Sequence, residues 1–245
     1  MANIKLTNDY WETSGIYDIT QSKTQRQINS DLNDVAHTSN WYGKHLLVIG
    51  DSWSRGYTGS GYVDRPWCDV MVTILGCTAD IIRQGSGGFT AKASTTSGNT
   101  YPNETFVEAL EHVKTNQYDA VVVQAGWNDI HNDNATDSDL STAMYNFATK
   151  CSSYFPKAKV FLIPSYPAWL MPYARLSRAL VLVQQGYYNN MVICHYSLNW
   201  MFTHKSFRGS DTPHMNQNGY SYFGRRAAAF LNGWDGKDIQ AQLTW

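Results

Sequence analysis

The stretch "KHLLVIGDSWSRG", residues 44–56, decides how the rest of the chain is read. Its first half is apolar on successive residues, so both faces of the strand it predicts are buried, as in a parallel sheet covered on two sides. Its second half puts a small hydroxyl side chain, Ser52, where that strand turns into a loop. A Gly-Asp-Ser string alone arises by chance in roughly one chain in twenty of this size. Ser52 is therefore either a nucleophile or a turn residue, and the remaining sequence must discriminate.

Downstream, short β-rich runs alternate with longer helical ones. Helix is predicted within 65–76, strand near 78–84, helix within 103–116, strand over 119–126 and helix within 138–155. Strand 158–165, helix 173–188, strand 191–197 and a last helix over 216–233 complete the series. Apolar strands each separated by a helix imply an α/β chain: a doubly wound, flavodoxin-like three-layer α/β/α sandwich around a mainly five-stranded parallel sheet. In such a sheet ligands bind beyond the carboxyl ends of the strands. The segments found there are "GDSWSRG", "GSGGFT", "GWNDIHND", "PSYPAW" and "GSDTPHMN", all rich in small or polar residues.

Residues 1–40 break the rhythm. They are polar, with Ile28, Leu32 and Val35 on one face of a possible helix, a stripe too thin to fold alone. The expected organisation is an extension over 1–40, a catalytic domain over 41–235 and a short tail over 236–245. With 245 residues and 43% hydrophobic composition the chain can bury a full core. Nineteen Lys and Arg nearly balance twenty Asp and Glu, which argues against nucleic acid or an anionic membrane as partner. Neither a signal peptide nor an 18-residue apolar span is read from the sequence, so synthesis in the cytoplasm is expected. Cys68, Cys77, Cys151 and Cys194 lack CxxC spacing and read as reduced core thiols.

Serine hydrolysis needs a base, an acid that orients the base, and donors for an oxyanion. "DTPH" places Asp211 three residues before His214, a spacing at which one turn brings the carboxylate to Nδ1 and leaves Nε2 for Ser52. The same residues would also start the last helix. Asn128 follows the third strand, where its amide can face the crevice, and "GSGG" can present backbone N–H groups or simply turn. No HExxH or similar cluster argues for a metal, and no dinucleotide or phosphate-loop fingerprint is present.

Together these segments resemble the SGNH (GDSL) hydrolase family, over residues 44–232 and in the family's chain order. "GDSWS" carries Ser52 in the first block. "RQGSGGFT" matches the second, with Gly88 at the family's oxyanion glycine, Arg83 where Asn is frequent and Gly87 where Ser is frequent. "GWND" gives Asn128 in the third, and "DTPHMNQNGY" gives Asp211 and His214 in the last. The resemblance implies ester hydrolysis through an acyl-enzyme without a cofactor: Ser52, His214 and Asp211 catalytic, with Ser52, Gly88 and Asn128 around the oxyanion. Trp53 and Trp127, flanking Ser52 and Asn128, are expected to offer faces to a sugar, with His131 lining the pocket. The expected substrate is a small acyl ester, such as an O-acetyl group on a polysaccharide. An intracellular lipase or acyl thioesterase and a catalytically silent carbohydrate-binding module are the alternatives. "SGIYDITQSKTQRQINSDL" resembles connectors of phage tail-fibre and baseplate proteins, which would imply a tail-associated enzyme, virion-located and assembled as a trimer.

Overall fold

A computed structural model describes residues 39–165, 179, 191–194, 197, 205–211 and 213–233. Its elements, in chain order, are β1 (His45–Gly50), α1 (Trp67–Leu75), β2 (Thr78–Arg83), α2 (Phe106–Ala109), β3 (Ala120–Gly126) and α3 (Trp127–His131). They continue with α4 (Asp137–Tyr154), β4 (Lys159–Ser165), β5 (Met191–Ile193) and α5 (Gln217–Gly233). Among the described residues the strands form one five-stranded sheet in the order β2-β1-β3-β4-β5, and every pairing is parallel.

Period-two alternation divides the core between two faces. Leu47 and Ile49 of β1, Val121 and Val123 of β3 and Leu162 of β4 pack with Phe106, Leu140 and Phe147 on the side of α2 and α4. Leu46, Val48, Val122 and Phe161 point the other way, against Trp67, Met71, Tyr220 and Phe223 of α1 and α5. Side chains on both faces of β1 and β3 are thus withdrawn from water, which is why Leu46–Ile49 and Ala120–Val123 are apolar without a break. Helices α1 and α5 approach closely where Gly224 sits over Trp67; a Cβ there would stand 2.5 Å from the Trp67 carbonyl oxygen.

Three elements differ from the sequence reading. The helix expected within 103–116 is one turn, α2, started by the reciprocal Thr105/Glu108 capping box, then a 3-10 turn over Leu110–His112. The chain reverses there to enter β3, with Asp119 N–H donating to the His45 carbonyl at 2.8 Å. The segment after β3, expected to be a loop, is the five-residue helix α3, because Gly126 at φ 133° turns the chain straight from strand into helix. Of the strand expected over 191–197, Met191–Ile193 pair with β4, Cys194 and Ser197 lie outside the strand, and residues 195–196 are not among those described. All four cysteines are buried and free. The Ile28, Leu32 and Val35 stripe, nearly all of the helix expected over 173–188 and "PSYPAW" beyond Ser165 lie outside the described residues.

The order 2-1-3-4-5 reverses direction between β1 and β3, and in open α/β sheets that switch point forms a crevice at the strands' carboxyl ends. Ser52 follows β1 and Asn128 follows β3, so both stand at that crevice.

Candidate active site

Tight turns carry the chain away from β1. Asp51 Oδ1 accepts the Trp53 N–H at 2.8 Å, the Asp51 carbonyl accepts Ser54 N–H at 3.0 Å, and the Ser52 carbonyl accepts Tyr57 N–H at 3.1 Å. The Ser52 N–H has no acceptor among the described residues. Gly50 makes room for the coil, since a Cβ there would meet Ser54 Oγ at 1.8 Å. Beneath it runs a buried polar chain: Trp67 Nε1–H donates to Ser54 Oγ, Ser54 Oγ donates to Gln124 Oε1, and Gln124 Nε2–H donates to Ser165 Oγ. Arg83, at the end of β2, donates from Nε to the Ser54 carbonyl at 3.0 Å and pairs with Asp69 at 2.8 Å. Burial pushes the Asp51 carboxyl up to about 7, against the Trp53 and Gln124 hydrogen bonds that favour its charged form.

His214 and Asp211 come from the loop before α5. His214 Nδ1 lies 2.7 and 2.8 Å from the two Asp211 carboxylate oxygens, and Nε2 lies 2.8 Å from Ser52 Oγ. A carboxylate only accepts, so the ring proton sits on Nδ1 and Nε2 is left to accept the Ser52 hydroxyl proton. His214 is 9% exposed, and burial lowers its pKa against the opposing pull of Asp211.

A hairpin that the sequence reading passed over braces this pair. Tyr57 and Tyr62 form an antiparallel bridge around "TGSG", and the Tyr57 ring stands edge-on to His214, centroids 4.8 Å apart. The Tyr57 hydroxyl donates to the Gly59 carbonyl at 2.7 Å, and its own carbonyl accepts from the Tyr220 hydroxyl. Ser210 N–H and Oγ–H both donate to the Thr58 carbonyl. Gly59, at φ 96°, packs flat against Asp211. The missed signal was "GYTGSGY", a glycine-rich turn between two tyrosines, which reads as a hairpin.

Asn128 is held from both sides: its Oδ1 accepts from Asn132 Nδ2 and its Nδ2 donates one hydrogen to the Gly87 carbonyl, both at 2.9 Å. The second Nδ2 hydrogen has no acceptor among the described residues. Gly88 departs from the expectation of an oxyanion donor, because its N–H donates to the Ala91 carbonyl at 2.9 Å. Its requirement for glycine is steric: a Cβ would stand 2.4 Å from Asp129 Oδ1. That fully buried carboxylate takes the N–H groups of Thr90 and Ala91 on Oδ1 and fixes the turn. Within 84–91 the N–H groups without an acceptor among the described residues belong to Ser86, at φ 66°, and Phe89.

The two tryptophans also differ from expectation. Trp53 is 2% exposed, packs edge-on against Phe223 and donates from Nε1 to the Pro213 carbonyl at 2.8 Å. The residue after Ser52 points into the layer of α1 and α5, so Trp53 holds the His214 loop and offers no face to a ligand. Trp127 is 9% exposed with His131 stacked on it, centroids 4.3 Å apart, so the exposed group of that pair is His131. Among the described residues no cluster of three His, Cys, Asp or Glu side chains is placed to hold a metal ion, and no helix is long and apolar enough to cross a membrane.

Neither a protein-family model nor a curated protein matches the chain. Solved structures do. A carbohydrate esterase family 2 enzyme with a carbohydrate-binding domain from Corynascus thermopiles (Myceliophthora fergusii) is similar at TM-score 0.59 and 16% identity, over 80% of this chain and 69% of that one. An acetyl xylan esterase from the rumen bacterium Butyrivibrio proteoclasticus gives 0.53 and 14%, over 78% and 64%. A lipase/acylhydrolase from Enterococcus faecalis gives 0.54 and 18%, over 78% of this chain and 96% of that one. The chain thus spans about two thirds of the first two and nearly all of the third. At such identities the likeness is one of architecture, and this chain has the α/β fold of these esterases and acylhydrolases.

Proposed function

We propose that the chain is a serine esterase that removes a small acyl group, an acetyl ester, from a carbohydrate. The observation that carries this reading is the hydrogen-bonded series Ser52 Oγ, His214 Nε2, His214 Nδ1 and Asp211 at 2.7–2.8 Å, set at the switch point of the sheet. His214 takes the Ser52 proton as Oγ attacks the ester carbonyl, while Asp211 keeps the imidazole in the correct tautomer and balances its charge. The oxyanion meets the Ser52 N–H and the second Asn128 Nδ2 hydrogen, two donors on either side of Ser52 Oγ's crevice that bond no acceptor among the described residues. Collapse passes the proton from His214 to the departing alcohol. Water then attacks the acyl-Ser52 by the reverse route, again through His214.

The carbohydrate substrate draws support from the neighbours, among them family 2 carbohydrate esterases and an acetyl xylan esterase. The near-complete span of the Enterococcus faecalis lipase/acylhydrolase favours a second reading, hydrolysis of longer acyl esters. The two separate on acyl length. p-Nitrophenyl acetate should turn over at least about tenfold faster than the octanoate in kcat/KM, because a short acyl pocket rejects a long chain sterically. Equal or faster octanoate turnover selects the second reading. Absence of turnover on either leaves the Ser–His–Asp series without a hydrolytic role.

A further inference from the structure

With Trp53 inside the core and Trp127 under His131, neither tryptophan expected to face a sugar is open to one. Tyr42 and Tyr62 are the exposed large hydrophobic side chains among the described residues, at 48% and 56%. Tyr42 precedes β1, at the opposite end of the sheet from Ser52. Tyr62 is next to the site: its ring centroid lies 5.3 Å from that of Tyr57, which in turn touches His214 at 4.8 Å.

The direction of the chemistry makes that position informative. His214 delivers its proton to the leaving alcohol, so the alcohol half of an ester lies beside Nε2, while the acyl oxygen lies toward Ser52 N–H and Asn128. The Tyr57–Tyr62 step leads away from His214 and is therefore placed for the alcohol. Tyr62 is also pinned. Arg55 donates from Nη2 to the Tyr62 hydroxyl at 2.6 Å and to the Ser97 carbonyl at 2.8 Å, and from Nη1 to Asn99 at 3.1 Å. The guanidinium carbon stands 5.1 Å from the ring centroid, and over half of the residue still faces water. A ring already fixed gives up little entropy when a ligand stacks on it. Polar groups of the same hairpin and of the loop packed on it are open as well: Ser60 is exposed, Arg55 half-open, and Asp211, against Gly59, has a side chain 39% exposed. One flat ring with a polar margin matches a pyranose, apolar on its C–H face and hydroxylated at its edge. A fatty chain would need a continuous apolar groove.

We infer that Tyr62, held by Arg55 and stepped onto Tyr57, is the platform on which the sugar ring carrying the ester stacks. This rests on the esterase reading above, and the test separates the two. Acetate release from glucose pentaacetate and from ethyl acetate is measured for the wild type, Tyr62→Ala and Tyr62→Phe. Tyr62→Ala, which keeps the backbone bridge to Tyr57, should raise KM for the sugar ester at least about fivefold, the scale of one aromatic contact, and by clearly more than any change in ethyl acetate kcat/KM. Tyr62→Phe keeps the ring face but loses the Arg55 hydrogen bond, so its sugar KM should lie between those of the wild type and Tyr62→Ala. Equal losses on both esters, or no loss on the sugar, overturn the platform while leaving the esterase intact. Binding is read independently of turnover in Ser52→Ala by saturation transfer from protein to glucose pentaacetate. Transfer abolished by adding Tyr62→Ala supports the platform even if no ester is cleaved, and transfer undiminished overturns it.

Discussion

Replacing Gly59 by Ala tests whether the hairpin sets the His214–Asp211 pair. A Cβ on Gly59 would stand 2.5 Å from Asp211 Cγ and 2.7 Å from its amide nitrogen, about 0.9 Å inside ordinary contact at the first. The backbone at φ 96° adds roughly 1–2 kcal/mol of strain for a residue with a side chain. If Asp211 backs away along the line of contact, its 2.7 Å bond to His214 opens to about 3.6 Å, beyond hydrogen bonding. Loss of about 10²- to 10⁴-fold in kcat for p-nitrophenyl acetate is expected, the range between a 1 Å misplacement and a lost orienting aspartate. Gly61, in the same turn, has nothing within 4 Å of a built Cβ, so Gly61→Ala should behave as wild type. Thermal unfolding of both variants separates misplacement from unfolding. A folded Gly59→Ala enzyme within about threefold of wild type, or a Gly61→Ala variant equally impaired, would refute the brace.

Three further outcomes follow from burial and packing. Because burial lowers the His214 pKa, the acid limb of kcat/KM should have its midpoint below the ordinary 6.5; a midpoint at or above that value contradicts the buried base. Asp51, raised to about 7 from 3.8, stabilises the fold fully below 3.8 and loses that contribution as pH rises toward 7. Asp51→Asn should therefore gain on wild type in urea midpoint between about pH 5 and pH 8, and parallel curves would contradict this. Gly88→Ala, whose Cβ would meet Asp129 at 2.4 Å, should cost about 1–3 kcal/mol of stability and much of the activity; an unperturbed melting curve would remove the steric reason for glycine there.

The sheet was legible because β1, β3 and β4 are apolar on both faces, a pattern with few alternatives. Ser52, His214 and Asp211 were legible because each stands at a strand end or helix start where local spacing constrains it. Gly88 was not, since a backbone N–H leaves no mark in the sequence of whether it points at a ligand or at Ala91. Trp53 misled for a related reason: adjacency to Ser52 says nothing about the side of the turn on which the indole emerges, and here it joins Phe223 in the core. The role of Tyr57 depends on contacts with His214 and Tyr220, over 150 residues away, which no local pattern encodes.

The central claim is that Ser52 is a nucleophile activated by His214. The direct measurement is acid-quenched reaction with p-nitrophenyl acetate followed by peptide mass analysis. An acetyl group on the peptide containing Ser52, absent in Ser52→Ala and suppressed in His214→Ala, is the expected result. Wild-type turnover by Ser52→Ala, or acetylation found elsewhere with Ser52 unmodified, would contradict it.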